Sequence, residues 1–462
     1  MYDGSNPIGI SEFADKTLVN PIGLTLLLLL VLAMLCVPRR HTLLVLLAGM
    51  SFMAIGQRLV ILSLDFGFLR ILVLAGWVRI LLRGETLKFY WNRLDAYILA
   101  WNVATFILYL VTHGLQTFVF KLGNTFDSVL VYFLLRYLIR DFEDVKSLIN
   151  ASAITAIVVS FFFFYEFTTR SNVFSVFGGV PAITVIREGK LRCQGAYAHP
   201  ILAGCFWAIL APLMASRALQ RGPGRLLSIL GLLSATLIVA LSNSSTPIVG
   251  MMTACIGFMF FPLRRSMRQV RWAIVIFLIL MQSTMIAPIY TLIGRITLSQ
   301  GSTGYHRVAI IEASIKYLNE WIWVGTANIN HWRIFRNDIT NKYVVEGING
   351  GCIGLGLFIM LIVTGFSNVG KLWRAAASSS GDLLIAWSIG VSLCVHLMNF
   401  IGVFYFGQIE TLWNLSLVLT TISPIAMSQR GRRVVRAPTI LRVDATRQLL
   451  PSRQDVRNRQ RS

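Results

Sequence analysis

Acidic residues are scarce in this sequence. Its 462 residues carry 20 Asp and Glu against 42 Lys and Arg, and charges of both signs make up only 13% of the chain. A soluble domain carries roughly 25%, so there is too little charge here to cover a water-exposed surface. A soluble globular fold is excluded. Cysteine is sparse too: six residues, at 36, 193, 205, 255, 352 and 394, show neither the paired spacing of a zinc site nor the density of a disulfide scaffold. A Cys193–Cys352 disulfide stays open, with nothing to argue for it. The N-terminal residues lack a basic region followed by a small-residue cleavage site, so no removable signal peptide is expected. Neither an internal repeat nor a soluble domain stands out. The formal net charge of +22 is spread over short segments and the C-terminal tail, with no basic face or RNA-binding signature. It therefore points to anionic lipid as the partner, and not to nucleic acid.

What the chain has in abundance is apolar sequence, 55% of its residues. About 20 apolar residues cross a bilayer as a helix. Candidate spans lie near 20–37, 42–62, 66–82, 95–113, 124–140, 148–165, 200–217, 226–242, 247–262, 272–290, 351–369, 382–402 and 410–427. The expected fold is an all-α polytopic membrane protein with about 12–13 transmembrane helices, since barrel strands would alternate in polarity. Arg70 and Arg79 interrupt the third span, and the fifth is short, so these two are the weakest. A single transmembrane domain is expected over 1–428, followed by a basic cytoplasmic tail over 429–462 that is disordered or lies on the membrane surface.

Placement of Lys and Arg sets the orientation. Arg39–Arg40, Arg83 to Arg93, Arg136 to Lys146, Arg217 to Arg225, Arg264 to Arg271, Lys371 to Arg374 and the tail all fall on one side if the spans alternate. That side is expected to be the cytoplasm. The two long polar segments, about 166–199 and 291–350, then lie outside, where Lys and Arg are normally few.

Those two segments hold the candidate chemistry. In the first, Arg187, Lys190 and Arg192 alternate as in an extended strand, Gln194–Gly195 reads as a turn, and His199–Pro200 opens a helix. Basic side chains beside a helix N-terminus favour an anion, and Arg matches phosphate oxygens with paired donors. The plainer reading gives these arginines to lipid headgroups or Glu188. In the second segment, residues 304–317 have helical spacing, with His306 and Arg307 in the first turn of an amphipathic helix. Trp321, Trp323 and Trp332 read as an interfacial aromatic belt, with a sugar-stacking platform as the sharper alternative. Asp338 to Asn341 precede a Gly-rich stretch suited to close helix packing. Ser242 to Pro247 either line a cavity or turn between spans. Asp141, Glu143 and Asp144 resemble a metal-binding acidic motif of nucleotide-sugar chemistry, but the flanking Arg136, Arg140 and Lys146 favour a neutralised connector; Asp65 and Arg70 either pair to brace the bundle or lie at the cavity rim. His306, His331 and Asp338 have no regular metal spacing, and no metal or cofactor is expected.

In this layout the chain resembles the O-antigen ligase/O-antigen polymerase superfamily of bacterial membrane glycan enzymes. The resemblance rests on Arg192 to Pro200 running into a helix and on the Ser-rich Ser242 to Thr246. It also rests on a large outer segment that begins near Gly304-Tyr-His-Arg307 and closes with Asn341-Lys-Tyr343 before a Gly-rich span. It covers about residues 60–425, through short and degenerate motifs. It implies a GT-C-like helical fold that works without metal on polyprenyl-diphosphate-linked oligosaccharides, of the undecaprenyl type, in the cytoplasmic membrane. Other polysaccharide-assembly proteins would be partners. The roles it implies are Arg192 and Arg307 on the diphosphate, with Arg187 and Lys190 as secondary contacts. His306, His199 and Asp338 are base or positioning candidates, and Asn341 and Ser244 are substrate contacts. Ligases of the family carry His before that Asn, where this chain has Thr340, which favours a polymerase over a ligase. A transporter of lipid-linked glycans is the alternative from another class, although repeated halves and broken mid-membrane helices are not evident.

Overall fold

The computed structural model describes residues 17–61, 64–86, 89–295, 304–334 and 338–422; the basic tail expected over 429–462 lies outside them. Among the described residues, thirteen helices follow the thirteen apolar runs: α1 Pro21–Cys36, α2 Thr42–Phe52, α3 Phe68–Leu82, α4 Arg93–His113, α5 Phe118–Leu138, α6 Phe142–Thr169, α7 Pro200–Ala218, α8 Arg225–Leu241, α9 Ser245–Met259, α10 Met267–Thr284 and, after three short helices, α14 Lys342–Ala375, α15 Ser380–Gly402 and α16 Gln408–Leu419. The three short ones, α11 Leu292–Arg295, α12 Gly304–Lys316 and α13 Leu318–Trp321, belong to the second polar segment. Among the described residues the chain is an all-α polytopic membrane protein apart from two hairpins, β1 Arg58–Ile61 with β2 Leu64–Gly67, and β3 Val185–Arg187 with β4 Lys190–Arg192.

The count of full-length spans is smaller than the apolar runs imply. Six described helices are long and apolar enough to cross a bilayer: α4, α5 with its leading turn, α6, α7, α14 and α15. α9 and α10 are apolar as a pair but bend by 71° at their junction, so that the chain enters α9 and leaves α10 toward the same end of the bundle, where Arg307 of α12 meets Thr246. α1 and α8 are apolar but shorter. The run expected to span 42–62 ends as a helix at Phe52, because Arg58–Ile61 leaves to pair with Leu64–Gly67. Buried Arg58 closes that hairpin on Asp65 at 2.8 Å.

α7 is the central element, buried along most of its length and packed on α8, α9 and α15. The bundle has two polar ends. At one, Arg79 resolves the charge inside the third apolar run. Its Nη1 donates to the C-terminal carbonyls of α1, Met34 at 2.7 Å and Val37 at 2.6 Å, and Nη2 pairs with Glu85 at 2.8 Å. A cation at a helix C-terminus is stabilising. Arg39 pairs with Asp144 at 2.8 Å, and Arg136 with Asp95 at 3.0 Å. The acidic connector is thus neutralised, Glu143 by its flanking Lys146 at 2.8 Å but Asp144 by Arg39 from the far side of the sequence, and Asp141 and Asp144 form the capping box of α6.

The other end joins the β1–β2 hairpin, the 170–199 segment, the 242–244 and 403–407 links and the second polar segment. Gln408 Nε2 reaches the carbonyls of Met53 at 3.3 Å and Ala196 at 3.4 Å, and Asn20 reaches Val176 at 3.0 Å. The expected Asp65–Arg70 pair is replaced. Arg70 binds the Asp127 carboxylate at 2.6 Å and meets Asp65 only through the main-chain oxygen.

The second polar segment folds over this end as a small core of its own. Ile310, Ala313, Trp321, Trp332, Ile334, Val344 and Ile348 bury one another. Trp321 and Trp332 are therefore core residues, not an aromatic belt; only Trp323 is exposed. α12 forms where helical spacing placed it. α14 breaks at Gly351, whose φ of 57° and close approach to the Trp323 carbonyl require glycine. The break separates the part of α14 in the cap from the apolar part, whose start the sequence puts at 351.

Candidate functional site

Two arginines, one from each polar segment, meet at the N-terminus of α9. The first arrives on the β3–β4 hairpin, which turns tightly at Glu188 and Gly189, both at positive φ. Pairing sets Arg187 opposite Lys190 and Val185 opposite Arg192. The next residue docks the hairpin, Cys193 N–H donating to Leu241 O at 3.1 Å at the end of α8. Glu166, at the end of α6, holds the following turn by accepting from the main-chain N–H groups of Gly195 at 2.9 Å and Gln194 at 3.2 Å. Arg192 is thereby carried inward to 7% exposure, where Nη2 donates to Ser244 Oγ at 2.6 Å.

The second arginine comes from the first turn of α12. Arg307, also 7% exposed, donates from Nη2 to Thr246 Oγ1 at 2.7 Å and to Ser245 Oγ at 3.4 Å. It lies flat against the end of α15. A Cβ at Gly402 would stand 2.9 Å from Arg307 Nε and 2.9 Å from Thr246 Oγ1.

The electrostatics of this cluster are one-sided. No carboxylate pairs with Arg192 or Arg307 among the described residues, and the Nε of each is buried without a hydrogen-bond partner. Burial, then the neighbouring Arg187, pulls the Arg192 guanidinium down to about 10, which still leaves it charged at neutral pH. Arg307 is lowered as well, by burial first, with Cys205 opposing and Arg187 adding to the shift. Arg187 thus adds its positive charge to the burial that already penalises both Arg192 and Arg307. The end of α9 adds to this, because the Ser244 side chain makes no capping bond to the first-turn N–H groups. Uncapped N–H groups, the helix dipole and unpaired guanidinium donors all favour an anion between them.

The other predicted residues fall in different places. Ser244 belongs to the cluster. Arg187 acts on it through space from an exposed position on β3, whereas the Lys190 side chain is exposed on the hairpin, its ammonium without an ion pair or hydrogen bond among the described residues. His199 caps α7, Nδ1 accepting from Ile201 N–H at 3.2 Å. Burial, then Arg192 and Arg187, hold its imidazole down to about 3, so it is neutral. The open helix end is accordingly that of α9, and the one expected at α7 is occupied by His199. Asn341 likewise caps α14, accepting from Tyr343 N–H at 3.0 Å and Val344 N–H at 3.2 Å. His306 and Asp338 come together, but through Nε2 and the Asp338 main-chain oxygen at 3.0 Å. His331 pairs with Glu320 at 2.9 Å, and the described residues hold no group of His, Cys, Asp and Glu suited to a metal.

The sequence reading did not single out Gly402 or Glu166. Thr246 and Ser245 lay inside the Ser-rich stretch, where Pro247 after a polar run is the signal for a helix start. All six cysteines are free, including Cys193 and Cys352. Comparison with protein-family models finds no match for this chain, and comparison with curated proteins finds no significant match.

Proposed function

We propose that this chain is a membrane glycosyltransferase that joins polyprenyl-diphosphate-linked oligosaccharides at the outer face of the cytoplasmic membrane, as a polysaccharide polymerase of the O-antigen or exopolysaccharide kind. One observation carries this reading: two buried, acid-free arginines with unpaired Nε groups converge on an uncapped helix N-terminus. That arrangement suits a diphosphate better than a lone phosphate, since two guanidinium groups approach it from different elements. In glycosyl transfer the diphosphate is the leaving group. A hydroxyl oxygen of the acceptor bonds to the anomeric carbon, the bond from that carbon to the diphosphate oxygen breaks, and the electron pair leaves with the diphosphate. Donors placed where this negative charge grows lower the barrier, and removal of one such donor costs about 10²–10³ in rate. The positive-inside rule supports putting the site outside, because the arginine-rich links at the far end of the bundle belong in the cytoplasm.

The test is the profile of lipid-linked glycans and surface polysaccharide in cells whose only copy carries Arg192→Ala, at normal membrane levels of the protein. Accumulated single lipid-linked repeat units with loss of long chains are the expected result. Full-length chains stranded on the lipid would make the enzyme a ligase. An unchanged profile would overturn the glycan reading and leave the arginines to the membrane. Labelled substrate bound and released with its bonds intact would favour a transporter.

A further inference from the structure

A second charged cluster lies where α4, α5, α14 and α16 pack together. Lys342 and Glu346, one turn apart on α14, form a buried pair at 2.7 Å. Trp101 Nε1 donates to the other Glu346 oxygen at 2.9 Å, and the Phe404 ring lies 4.9 Å from the Lys342 ammonium. This pair is complete in itself. Glu410, in the first turn of α16, and Lys121, on α5, are not. Both are half-buried and lie within electrostatic range of each other and of the Lys342–Glu346 pair. Among the described residues the Glu410 carboxylate has no hydrogen bond or ion pair, and the Lys121 ammonium has only the face of Tyr109 at 4.9 Å. Asp127, the remaining acid in range, is taken by Arg70 at 2.6 Å.

Ionisable side chains inside a membrane bundle are costly, and those left unpaired mark function. The balance here differs from that at the arginine cluster. Two cations, Lys121 and Lys342, face two anions, Glu346 and Glu410, so the local charge is near zero and a diphosphate gains nothing. An open carboxylate and an open ammonium, near each other but unbonded and flanked by the aromatic rings of Tyr109 and Phe404, match an uncharged polyol. Its hydroxyls donate to one and accept from the other, while its C–H face lies on a ring. The two clusters also share a boundary, the 403–407 link: Gly402 before it touches Arg307, Phe404 within it covers Lys342, and Glu410 follows it.

We infer that Glu410, Lys121 and the Lys342–Glu346 pair form the acceptor-sugar site of the proposed transferase, with the Glu410 carboxylate receiving the proton of the attacking hydroxyl. This rests on the glycosyltransferase reading. As the acceptor oxygen bonds to the anomeric carbon, its proton moves to Glu410 and the diphosphate departs with the electron pair. Lys121 and the Lys342–Glu346 pair are positioning residues.

The experiment compares Glu410→Gln, Glu410→Asp and Lys121→Gln with Arg192→Ala in the full chain. It reads the lipid-linked glycan profile in cells, and binding of farnesyl diphosphate to the detergent-purified protein. Glu410→Gln should bind farnesyl diphosphate within about twofold of wild type yet lengthen glycan roughly a hundredfold more slowly, the usual scale for a lost general base. Glu410→Asp should recover part of the rate with a shifted acid limb of its pH profile. Lys121→Gln should raise the acceptor concentration needed and leave donor binding alone. Full-length glycan from Glu410→Gln would overturn the inference, and so would a Glu410→Gln protein that no longer binds farnesyl diphosphate. In either case a defective Arg192→Ala profile would keep the transferase reading. Normal glycan from Arg192→Ala would instead remove that reading, and the acceptor site with it.

Discussion

Gly402→Ala is the substitution that separates the arginine cluster from the fold around it. The added Cβ would lie 2.9 Å from Arg307 Nε, 3.0 Å from Arg307 Cζ and 2.9 Å from Thr246 Oγ1. These contacts are too close to persist, so something must move. Thr246 sits on the first turn of α9 on a short side chain, whereas the guanidinium is the far end of a flexible one and yields first. Overpacking costs about 1–3 kcal/mol, while Ala gains about 1 kcal/mol over Gly in a helix, so stability should change by less than about 2 kcal/mol. The displaced guanidinium loses its bond to Thr246. Moved off Thr246, the guanidinium is also moved off the position from which it would donate to the diphosphate, and since a hydrogen bond to a charged group contributes about 1.5–3 kcal/mol, farnesyl diphosphate should bind about ten- to a hundredfold more weakly. Calorimetric titration of purified protein measures this, with thermal unfolding run alongside. In an Arg307→Ala background the same substitution should add almost nothing, because both changes remove one interaction. Wild-type affinity in Gly402→Ala, or losses that add in full in the double variant, would refute the reasoning.

Other expectations follow from single contacts. Asp95 is fully buried and accepts from Tyr132 Oη at 2.7 Å, Arg136 Nε at 3.0 Å and the Asn92 main-chain N–H at 2.9 Å. Asp95→Ala leaves Arg136 without its partner and should destabilise the bundle by about 3–5 kcal/mol, seen as a lowered Tm in detergent. His199→Asn should keep glycan synthesis within about twofold, because Asn replaces the helix cap and the neutral imidazole contributes no charge; a collapse of synthesis would show that the ring touches substrate. Burial pushes the Glu85 carboxyl up, but Arg79, Arg83 and Arg140 together hold it below its ordinary value. The unfolded chain therefore binds its proton first as pH falls. The stability Glu85 contributes is complete above the ordinary carboxylate range and is lost as pH drops through its lowered folded value. Glu85→Gln should flatten that part of the curve of Tm against pH.

Much of the architecture is legible in residue order alone. Apolar runs place every long helix near its observed position, because a backbone in lipid must satisfy its own hydrogen bonds and only a helix does so within one segment. The alternation of Arg187, Lys190 and Arg192 marks extended backbone but not the turn at Glu188–Gly189 that folds it into a hairpin, and the spacing after Gly304 marks α12. Arg192, Arg307 and Ser244 stand out because polar and basic residues beside membrane spans need a reason to be there. What residue order does not contain is partnership. Arg79 looked like a defect in a span until the C-terminus of α1 came beside it, and Trp321 and Trp332 looked interfacial until the cap enclosed them. Gly402 carries no local signal at all; it matters because α12 lays Arg307 across the end of α15. Glu410 and Lys121 become one site only when α16 packs on α5. Local periodicity reports how a segment meets its solvent, lipid or water. Which side chains share a cavity is set by long-range packing, and that only the tertiary structure decides.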